Sequence, residues 1–330
     1  NINNILNFQK DYQDVKMFRL EQNYRSTKNI VNAANSIIEK NQNKLDKVVW
    51  TANEIGEKIT VNRSLTDGDE GRYVASSIFE NKMRNQSKNG DFAVLYRTNA
   101  QSRSIEDALR KRGLDYRIYG GLSFYQRKEI KDVLSYLRLL INSKDEEALK
   151  RIINYPMRGI GASTVDKLSV AANHFKISIF ELLQNLSNYD LKLNSGTKNK
   201  LDSFITMIQH FQIEAKSKNA FEVAEFVVKQ TRLIKDLEKD GTPEAVSRVE
   251  NVQELLNGIK DFIEVQKEKE EDDSLAFFLE DVALATDFDS DKKDDTPRVS
   301  LMTIHLAKGL EFPYVYIVGL EENLFPSALS

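Results

Sequence analysis

The chain has 330 residues, 41% of them hydrophobic, which suffices for about two globular domains with packed cores. It has no cysteine and three histidines, which excludes disulfides, thiolate catalysis and cysteine-ligated zinc, and leaves little for a histidine-based metal site. The net charge of −3 excludes a basic field over the whole surface, so any contact with nucleic acid must come from local patches.

The beginning of the chain predicts neither a secretion signal nor a membrane span. Residues 1–16 lack the apolar core of a signal sequence. No run in the chain approaches the roughly 20 apolar residues of a membrane helix. We therefore expect a cytoplasmic protein that has no membrane partner.

Strands and helices alternate over the first 122 residues. Lys16–Leu20 is a candidate strand, and a helix follows it with Ser26 or Thr27 as the N-cap. The later elements are a helix at 73–83, a buried strand at 91–96, a helix at 102–112 that stops at Gly113, and a strand at 116–119. This alternation predicts an α/β fold with a parallel sheet, in which binding residues gather at the carboxyl ends of the strands.

The middle of the chain has a different character. From Lys128 to about Leu284 the hydrophobic spacing is helical almost throughout, and a charged segment that reads as a linker follows at 289–297. Strand patterns then return at 299–303 and 314–318. Two late strands are too few for a sheet of their own, so we expect one discontinuous α/β domain with a helical insertion. The predicted boundaries are 1–122 and 296–330 for the α/β domain and 123–295 for the insertion.

Polar residues occupy the connection between the two late strands. Thr303, His305, Lys308 and Glu311 are expected to crowd at one edge of the sheet. Taken alone, Lys308 and Glu311 could equally form an exposed pair one helical turn apart, and His305 could be a hydrogen-bonded turn residue.

Three segments are similar to motifs of one helicase family. Residues 299–326 (VSLMTIHLAKGLEFPYVYIVGLEENLFP) closely resemble motif V of the UvrD, PcrA and Rep helicases of superfamily 1. Residues 20–27 (LEQNYRST) resemble their motif IV, and residues 119–132 (YGGLSFYQRKEIKD) resemble the stretch that enters their inserted domain. The order and approximate spacing match as well, so the resemblance spans essentially the whole chain.

The resemblance implies a fold and an activity. The fold would be a RecA-like parallel sheet of the kind found in motor domains, interrupted by a large all-α insertion. The activity would be that of an ATP-dependent DNA helicase that moves 3′ to 5′ on single-stranded DNA and unwinds duplex DNA, in DNA repair or replication.

The resemblance also implies residues of an ATP site. It places Arg25 at the γ-phosphate, Tyr24 on the adenine and Glu311 at the ribose. A guanidinium set against the transferred phosphate accelerates phosphoryl transfer by about 10³–10⁵, which makes Arg25 the candidate catalytic residue. Without the resemblance, Tyr24 would be a half-buried packing residue and Arg25 a surface charge at the start of a helix.

A second group of residues is implied in binding single-stranded DNA and coupling it to ATP. The resemblance assigns this role to Thr303, His305 and Lys308, and adds Arg97 and Asn99 as further contacts. A lysine supplies positive charge, and hydroxyl or imidazole groups can hydrogen-bond the DNA backbone.

The predicted insertion contains a turn that suits a duplex phosphate. Gly159, Ile160, Gly161 and Thr164 belong to a helix-hairpin-helix-like segment (RGIGAST, 158–164). Its glycines would let backbone N–H groups approach a phosphate, and the following helix would add a favourable dipole. A single Gly-x-Gly is also common in tight turns without a ligand.

The stretch from Arg97 to Asp132 is locally basic, with nine basic and five acidic residues. This excess permits contact with DNA, although a basic helix face is usually only solvated surface.

Parts of a complete helicase are missing from the sequence. A Gly-x-x-x-x-Gly-Lys-Ser/Thr phosphate loop occurs nowhere in the chain, and we find no acidic motif for Mg²⁺ and the attacking water. We therefore expect a piece of a longer enzyme whose cofactors are ATP and Mg²⁺, with the Mg²⁺ ligands in an N-terminal motor domain. The expected partners are that domain, single-stranded and duplex DNA, and RNA polymerase or repair proteins. Alone, the chain is expected to hydrolyse no ATP.

Other functions fit part of the pattern. A helicase–nuclease subunit would share these motifs and would carry a nuclease domain elsewhere. A DNA-binding or partner-docking regulatory module would use the insertion without catalysis, and the salt dependence of its binding would distinguish phosphate contact from protein docking. An unrelated α/β enzyme is left only if the motif similarities are coincidental.

Overall fold

A computed structural model describes residues 8, 12, 15–41, 47–290, 296–322, 324 and 325 of the chain. The described residues divide into two compact units, with the boundary between Arg63 and Ser64. No helix within these described ranges is both long and apolar enough to cross a bilayer.

The first unit is built around one helix. Helix α1 (Lys28–Glu39) begins after Thr27, as predicted. An extended segment runs beside it, and the Asn35 side chain binds both backbone groups of Val49, with Nδ2 2.7 Å from the carbonyl oxygen and Oδ1 3.2 Å from the amide nitrogen. The N–H of Lys28 donates to the carbonyl of Glu54 at 3.0 Å. Side-chain and backbone hydrogen bonds therefore hold this segment against the helix.

The predicted strand at Lys16–Leu20 is wrong. These residues adopt no strand conformation, and Phe18 and Leu20 are exposed. A short apolar run becomes a strand only where neighbouring strands pair with it and bury one face. The backbone instead pairs slightly later, in an isolated parallel bridge between Gln22 and Trp50.

The second unit contains a four-stranded parallel sheet. Its strands are β1 (Phe92–Tyr96), β2 (Tyr116–Ile118), β3 (Val299–Thr303) and β4 (Tyr314–Ile317), in the order β2-β3-β1-β4. All pairs of neighbours are parallel, so the predicted α/β fold with a parallel sheet is confirmed. The early and late strands form one sheet, as a discontinuous domain requires, while the boundaries near 122 and 296 stay predictions.

Two helices cover one face of the sheet. Helices α2 (Asp67–Asn85) and α3 (Ser102–Lys111) pack their apolar side chains on those of β1 and β3. Helix α3 ends before Gly113, which has φ +67°, as the sequence predicts. Helix α2 begins earlier than predicted because Thr66 caps it: the Thr66 hydroxyl oxygen accepts the N–H of Asp69 at 3.0 Å.

The residues between β2 and β3 form a helical layer with its own hydrophobic core. Its α-helices are α4 (Lys128–Ile141), α5 (Glu146–Ile152), α6 (Ala162–Phe175), α7 (Ile179–Gln184), α8 (Ser195–Glu214), α9 (Ala220–Thr231), α10 (Leu233–Glu238), α11 (Pro243–Lys269) and α12 (Leu275–Ser290). Short 3₁₀ turns occur at Asn89–Asp91, Asn99–Gln101, Phe124–Gln126 and Leu186–Asn188. The described residues between β2 and β3 form no strand, as predicted, and 291–295 of the predicted linker lie outside the described residues.

A buried arginine joins α3 to α11. Arg103 is 5% exposed; its Nε donates to Glu254 at 2.7 Å, and its Nη2 donates to Asp67 and Asp261 at 2.9 Å each. Gly258 leaves room for the guanidinium, since a Cβ there would lie 2.7 Å from Arg103 Nη1. Burial raises the pKa of the Glu254 and Asp261 carboxyls, and the charge of Arg103 opposes that rise.

The basic stretch from Arg97 to Asp132 is therefore not a uniform solvated surface. Arg103 and Arg127 are both buried and hydrogen-bonded within the protein. Two of the charges counted in the sequence are unavailable to DNA.

Candidate functional site

The loops after β1 and β3 lie side by side at the carboxyl edge of the sheet. Tyr96 pairs in register with Thr303, and the next N–H of the β3 chain donates to the Tyr96 carbonyl at 3.0 Å. Arg97 therefore leaves the sheet next to the chain that continues to His305, at about the 4.8 Å spacing of adjacent strands. Asn99 and His305 are exposed. The structure thus brings Arg97, Asn99, Thr303 and His305 to one edge.

Gln101 holds the loop that follows β1. Its Oε1 accepts the N–H of Arg97 at 3.0 Å and that of Thr98 at 2.9 Å. Its amide nitrogen lies against Gly319 after β4, where φ is +68° and a Cβ would lie 1.8 Å from it. The N–H of Gly319 donates to the Glu70 carboxylate at 3.0 and 3.2 Å, and burial raises the pKa of that carboxyl. Sequence reasoning missed Gln101, although Thr98-x-x-Gln101 has the spacing of a capping box.

Lys308 and Glu311 occupy the connection from β3 to β4. Lys308 is exposed, in a segment of turns after Thr303. Because β4 runs parallel to β3, the chain must return to the opposite edge of the sheet before Tyr314, and Glu311 is on this return segment. Of the four polar residues expected at one edge, the structure brings Thr303 and His305 there with Arg97 and Asn99; Lys308 follows on the next turns, and the position of Glu311 at this edge stays a prediction.

In the first unit, Tyr24 and Arg25 lie in a fixed turn before α1. Asn23 Oδ1 accepts the N–H of Arg25 at 3.0 Å and that of Ser26 at 2.8 Å. Asn53 Nδ2 donates to the carbonyls of Tyr24 and Ser26, at 3.2 and 3.1 Å. The Tyr24 side chain is 76% exposed, which excludes a half-buried packing role, and Arg25 is exposed as well. Asn23 and Asn53 are positioning residues that sequence reasoning missed.

The turn before α6 is organised from inside the protein. Asn154 Oδ1 accepts the N–H groups of Arg158 and Ile160, both at 3.0 Å. Gly159 between them has φ +71°, a conformation that favours glycine. Ile160 is buried and its N–H is already bound, so this residue anchors the turn.

Gly161 and Thr164 lie at the start of α6, and a lysine from another helix approaches the turn before them. Gly161 is the exposed N-cap of α6 and has no side chain to cap it. Lys200 of α8 donates from Nζ to the Gly159 carbonyl at 3.1 Å. The exposed part of the turn thus combines a helix N-terminus with a basic side chain 41 residues later in the chain. Sequence reasoning missed Lys200, which no local motif connects to the turn.

A metal centre is not formed by the residues described. Within those ranges, no group of three or more histidine, aspartate or glutamate side chains could hold a metal ion.

Comparison with known proteins finds relatives over the whole chain. A family model described as the UvrD-like helicase C-terminal domain matches residues 18–330. The ATP-dependent DNA helicase PcrA of Bacillus subtilis (strain 168) is 42% identical over 334 residues, which cover 100% of this chain and 44% of the relative. The PcrA helicases of Staphylococcus epidermidis (strain ATCC 12228) and Staphylococcus aureus (strain NCTC 8325) are 43% identical over 325 residues, 98% of this chain and 44% of each relative. The chain therefore spans less than half the length of these relatives.

Proposed function

The chain belongs to the UvrD-like helicase C-terminal domain family, and from this premise we propose that it is part of an ATP-dependent DNA helicase. In this proposal the enzyme moves 3′ to 5′ on single-stranded DNA and unwinds duplex DNA in repair or replication. The observation that carries the proposal is the grouping of Arg97, Asn99, Thr303 and His305 at the carboxyl edge of a parallel sheet, where α/β proteins bind their ligands.

Single-stranded DNA is the proposed ligand of this edge. Asn99 and His305 present exposed amide and imidazole groups, and Arg97 adds a positive charge that favours a phosphate. Thr303 supplies a hydroxyl at the end of β3, and Lys308 supplies an exposed cation on the following turns. These groups recognise the sugar–phosphate backbone, which suits a motor that must move along any sequence.

ATP is the proposed substrate, and the first unit offers groups that fit it. Tyr24 presents an exposed ring for the adenine, and Arg25 presents a guanidinium from a turn whose backbone is fixed by Asn23 and Asn53. We assign Glu311 to the ribose on the family resemblance. The residues described do not fit Mg²⁺, so we assign the metal and the phosphate loop to a separate motor domain. The chain by itself is then expected to hydrolyse no ATP.

Replacing Asn99 with Ala tests the DNA assignment. In the complete helicase we expect affinity for single-stranded DNA to fall about tenfold. The DNA backbone would lose one or two hydrogen bonds to the Asn99 side chain, worth about 1 kcal/mol each. The DNA concentration that half-maximally stimulates ATP hydrolysis should rise by the same factor, while kcat at saturating DNA changes little. Fluorescence anisotropy with a labelled oligothymidylate measures the first quantity and steady-state kinetics the second.

The matched control for Asn99 is Asn85→Ala, because Asn85 is also exposed and lies at the far end of α2. This control should bind the oligonucleotide like the unmodified enzyme. Unchanged affinity in the Asn99 variant would sink the assignment of this edge to DNA.

The turn at Gly159–Gly161 is the proposed contact for duplex DNA. We assign the approach to a phosphate to Gly159, Gly161 and Thr164 at the start of α6, with Ile160 as their buried anchor and Lys200 as the adjacent cation. A helix N-terminus and a lysine lie side by side here. Their positive charges favour phosphate binding over the alternative, a tight turn that binds no ligand.

The salt dependence of duplex binding tests this contact. Replacing Lys200 with Ala is expected to weaken duplex binding at low salt and to reduce the slope of log K against log salt by about 0.9, the value for one phosphate. Lys229→Ala, which removes an exposed lysine from α9, is the control and should keep the slope. An unchanged slope in the Lys200 variant would contradict the contact. Salt-insensitive binding of RNA polymerase or a repair protein by the same surface would favour the docking alternative.

A further inference from the structure

A buried series of hydrogen bonds connects the loop after β1 to helix α11. The Ser102 hydroxyl donates to the Asn99 carbonyl at 2.9 Å and accepts from Arg127 Nη2 at 2.7 Å. Arg127 Nη1 donates to Asn251 Oδ1 at 2.8 Å. Ser102, Arg127 and Asn251 are all buried. Three consecutive contacts thus lead from the backbone of Asn99 to the side of α11, 152 residues later in the sequence.

Charged side chains surround this series of hydrogen bonds. Asn251 Nδ2 donates to Glu129 Oε1 at 2.5 Å, and Glu106 accepts the buried N–H of Phe124 at 3.1 and 3.3 Å. Burial lowers the pKa of the Arg127 guanidinium, and Glu106 and Glu129 oppose that shift. A buried guanidinium is costly unless carboxylates and hydrogen-bond acceptors surround it, and these groups supply both. The arginine is therefore held in one position between the sheet layer and the helical layer.

The loop after β1 is fixed at both of its ends. Gln101 binds the N–H groups of Arg97 and Thr98 at its beginning, and Ser102 binds the carbonyl of Asn99 at its end. Gln101 belongs to the loop's own helical turn. The Ser102 hydroxyl, by contrast, also accepts a hydrogen bond from Arg127, which directly precedes α4.

We propose that Arg127 is a positioning residue for single-stranded DNA binding, acting through Ser102 on the Asn99 loop and held in place by Asn251 of α11. The inference rests on the proposed function, in which Asn99 contacts the DNA. The helical layer then does more than bind a duplex, because its longest helix fixes the shape of a loop at the sheet edge. Separating α11 from the sheet layer would release the loop.

A mutant cycle in the complete helicase tests the inference. The variants are Ser102→Ala, Asn99→Ala and the double variant, with a labelled oligothymidylate as the probe. We expect Ser102→Ala to weaken binding about tenfold, because a hydrogen bond to a charged group is lost in the interior. The double variant should bind no worse than Asn99→Ala within about twofold, because residues that act through one another have non-additive effects. Ser104→Ala is the control: Ser104 is a buried serine on the same helix, and the variant should bind normally.

A second pair of variants tests whether Arg127, before α4, and Asn251, in α11, affect the same loop. Arg127→Lys keeps the charge but cannot bridge Ser102 and Asn251 at once, so it should weaken binding as much as Ser102→Ala. Asn251→Leu keeps the branched shape of the side chain but removes its hydrogen bonds, so it should weaken binding about threefold, less than Ser102→Ala because the lost contact is further from the loop.

The outcomes separate this inference from the proposed function. Normal binding by Ser102→Ala and Arg127→Lys, with weak binding by Asn99→Ala, would overturn the positioning role and leave the DNA site standing. Fully additive losses in the double variant would also overturn it, because they indicate a separate structural effect. Normal binding by Asn99→Ala would remove the DNA site and the inference together.

Discussion

Replacing Arg25 with Ala is expected to lower the rate of ATP hydrolysis by the complete helicase about 10³-fold while nucleotide binding largely persists. The proposed role of Arg25 is to stabilise charge on the transferred phosphate, an interaction that is stronger in the transition state than in the ground state. The turn around Arg25 is held by backbone hydrogen bonds to the side chains of Asn23 and Asn53, which the substitution leaves intact. The loss should therefore appear in kcat and hardly in stability.

Two further variants define the role of Arg25. Arg25→Lys keeps the charge but loses the planar fork that binds phosphate oxygens, so it should recover only part of the rate. Lys28→Ala removes an exposed cation from the first turn of α1 and should leave turnover near normal. Steady-state ATP hydrolysis with saturating DNA and a fluorescent nucleotide binding assay provide the two readouts. Unchanged turnover in the Arg25→Ala enzyme would refute the catalytic assignment.

Replacing Arg103 with Ala is expected to lower the free energy of unfolding by about 3–5 kcal/mol at neutral pH. The guanidinium is buried, and its removal leaves Glu254, Asp261 and Asp67 as a group of carboxylates without the cation they share. Gly258 faces the guanidinium and offers no side chain to fill the space that is left. The uncompensated charges and the cavity both lower the free energy of unfolding.

The loss of stability on replacing Arg103 should depend on pH. Burial already raises the pKa of Glu254 and Asp261, and Arg103 opposes that rise, so the pKa of both carboxyls should be higher still in the variant. A carboxyl whose pKa is higher in the folded than in the unfolded state lowers stability as the pH rises through that range. The stability difference between the two proteins should therefore shrink as the pH falls from 7 towards 5.

Denaturant unfolding at the two pH values measures both effects. Lys111→Ala, an exposed basic residue on the same helix, is the control and should shift the unfolding free energy by less than about 0.5 kcal/mol. An Arg103 variant as stable as the unmodified chain, or a difference that grows in acid, would contradict the account of the buried cluster.

Local patterns predicted the elements well where apolar spacing is strong. The buried run at 91–96 and the late strand at 299–303 became β1 and β3, and their parallel pairing brings Arg97 and Thr303 to one edge. Patterning failed at Lys16–Leu20, because a strand depends on partners that a five-residue run does not specify. It also missed the start of α2 at Asp67, where capping by Thr66 decides the boundary and the apolar period has not yet begun.

The polar interior could not be predicted from the sequence. Arg127 looks like one more cation in a basic stretch, and nothing near it in the chain indicates Asn251 as its partner. Buried polar groups find partners through tertiary packing, so their identity depends on the fold as a whole. The same holds for Lys200, whose approach to Gly159 depends on how α8 packs in the helical layer.

The position of β3 in the sheet determines the order in which the parts of the protein can fold during synthesis. β3 lies between β2 and β1, yet the ribosome completes it only after the whole helical layer has been synthesised. Until then the strands that pair with β1 and β2 in the described sheet have not been made, whereas the helices can form from contacts that are local in sequence. The helical layer should therefore fold first during synthesis, and the sheet should close around its last central strand. Chains released before that strand emerges would expose the apolar edges of β1 and β2 and be prone to aggregate.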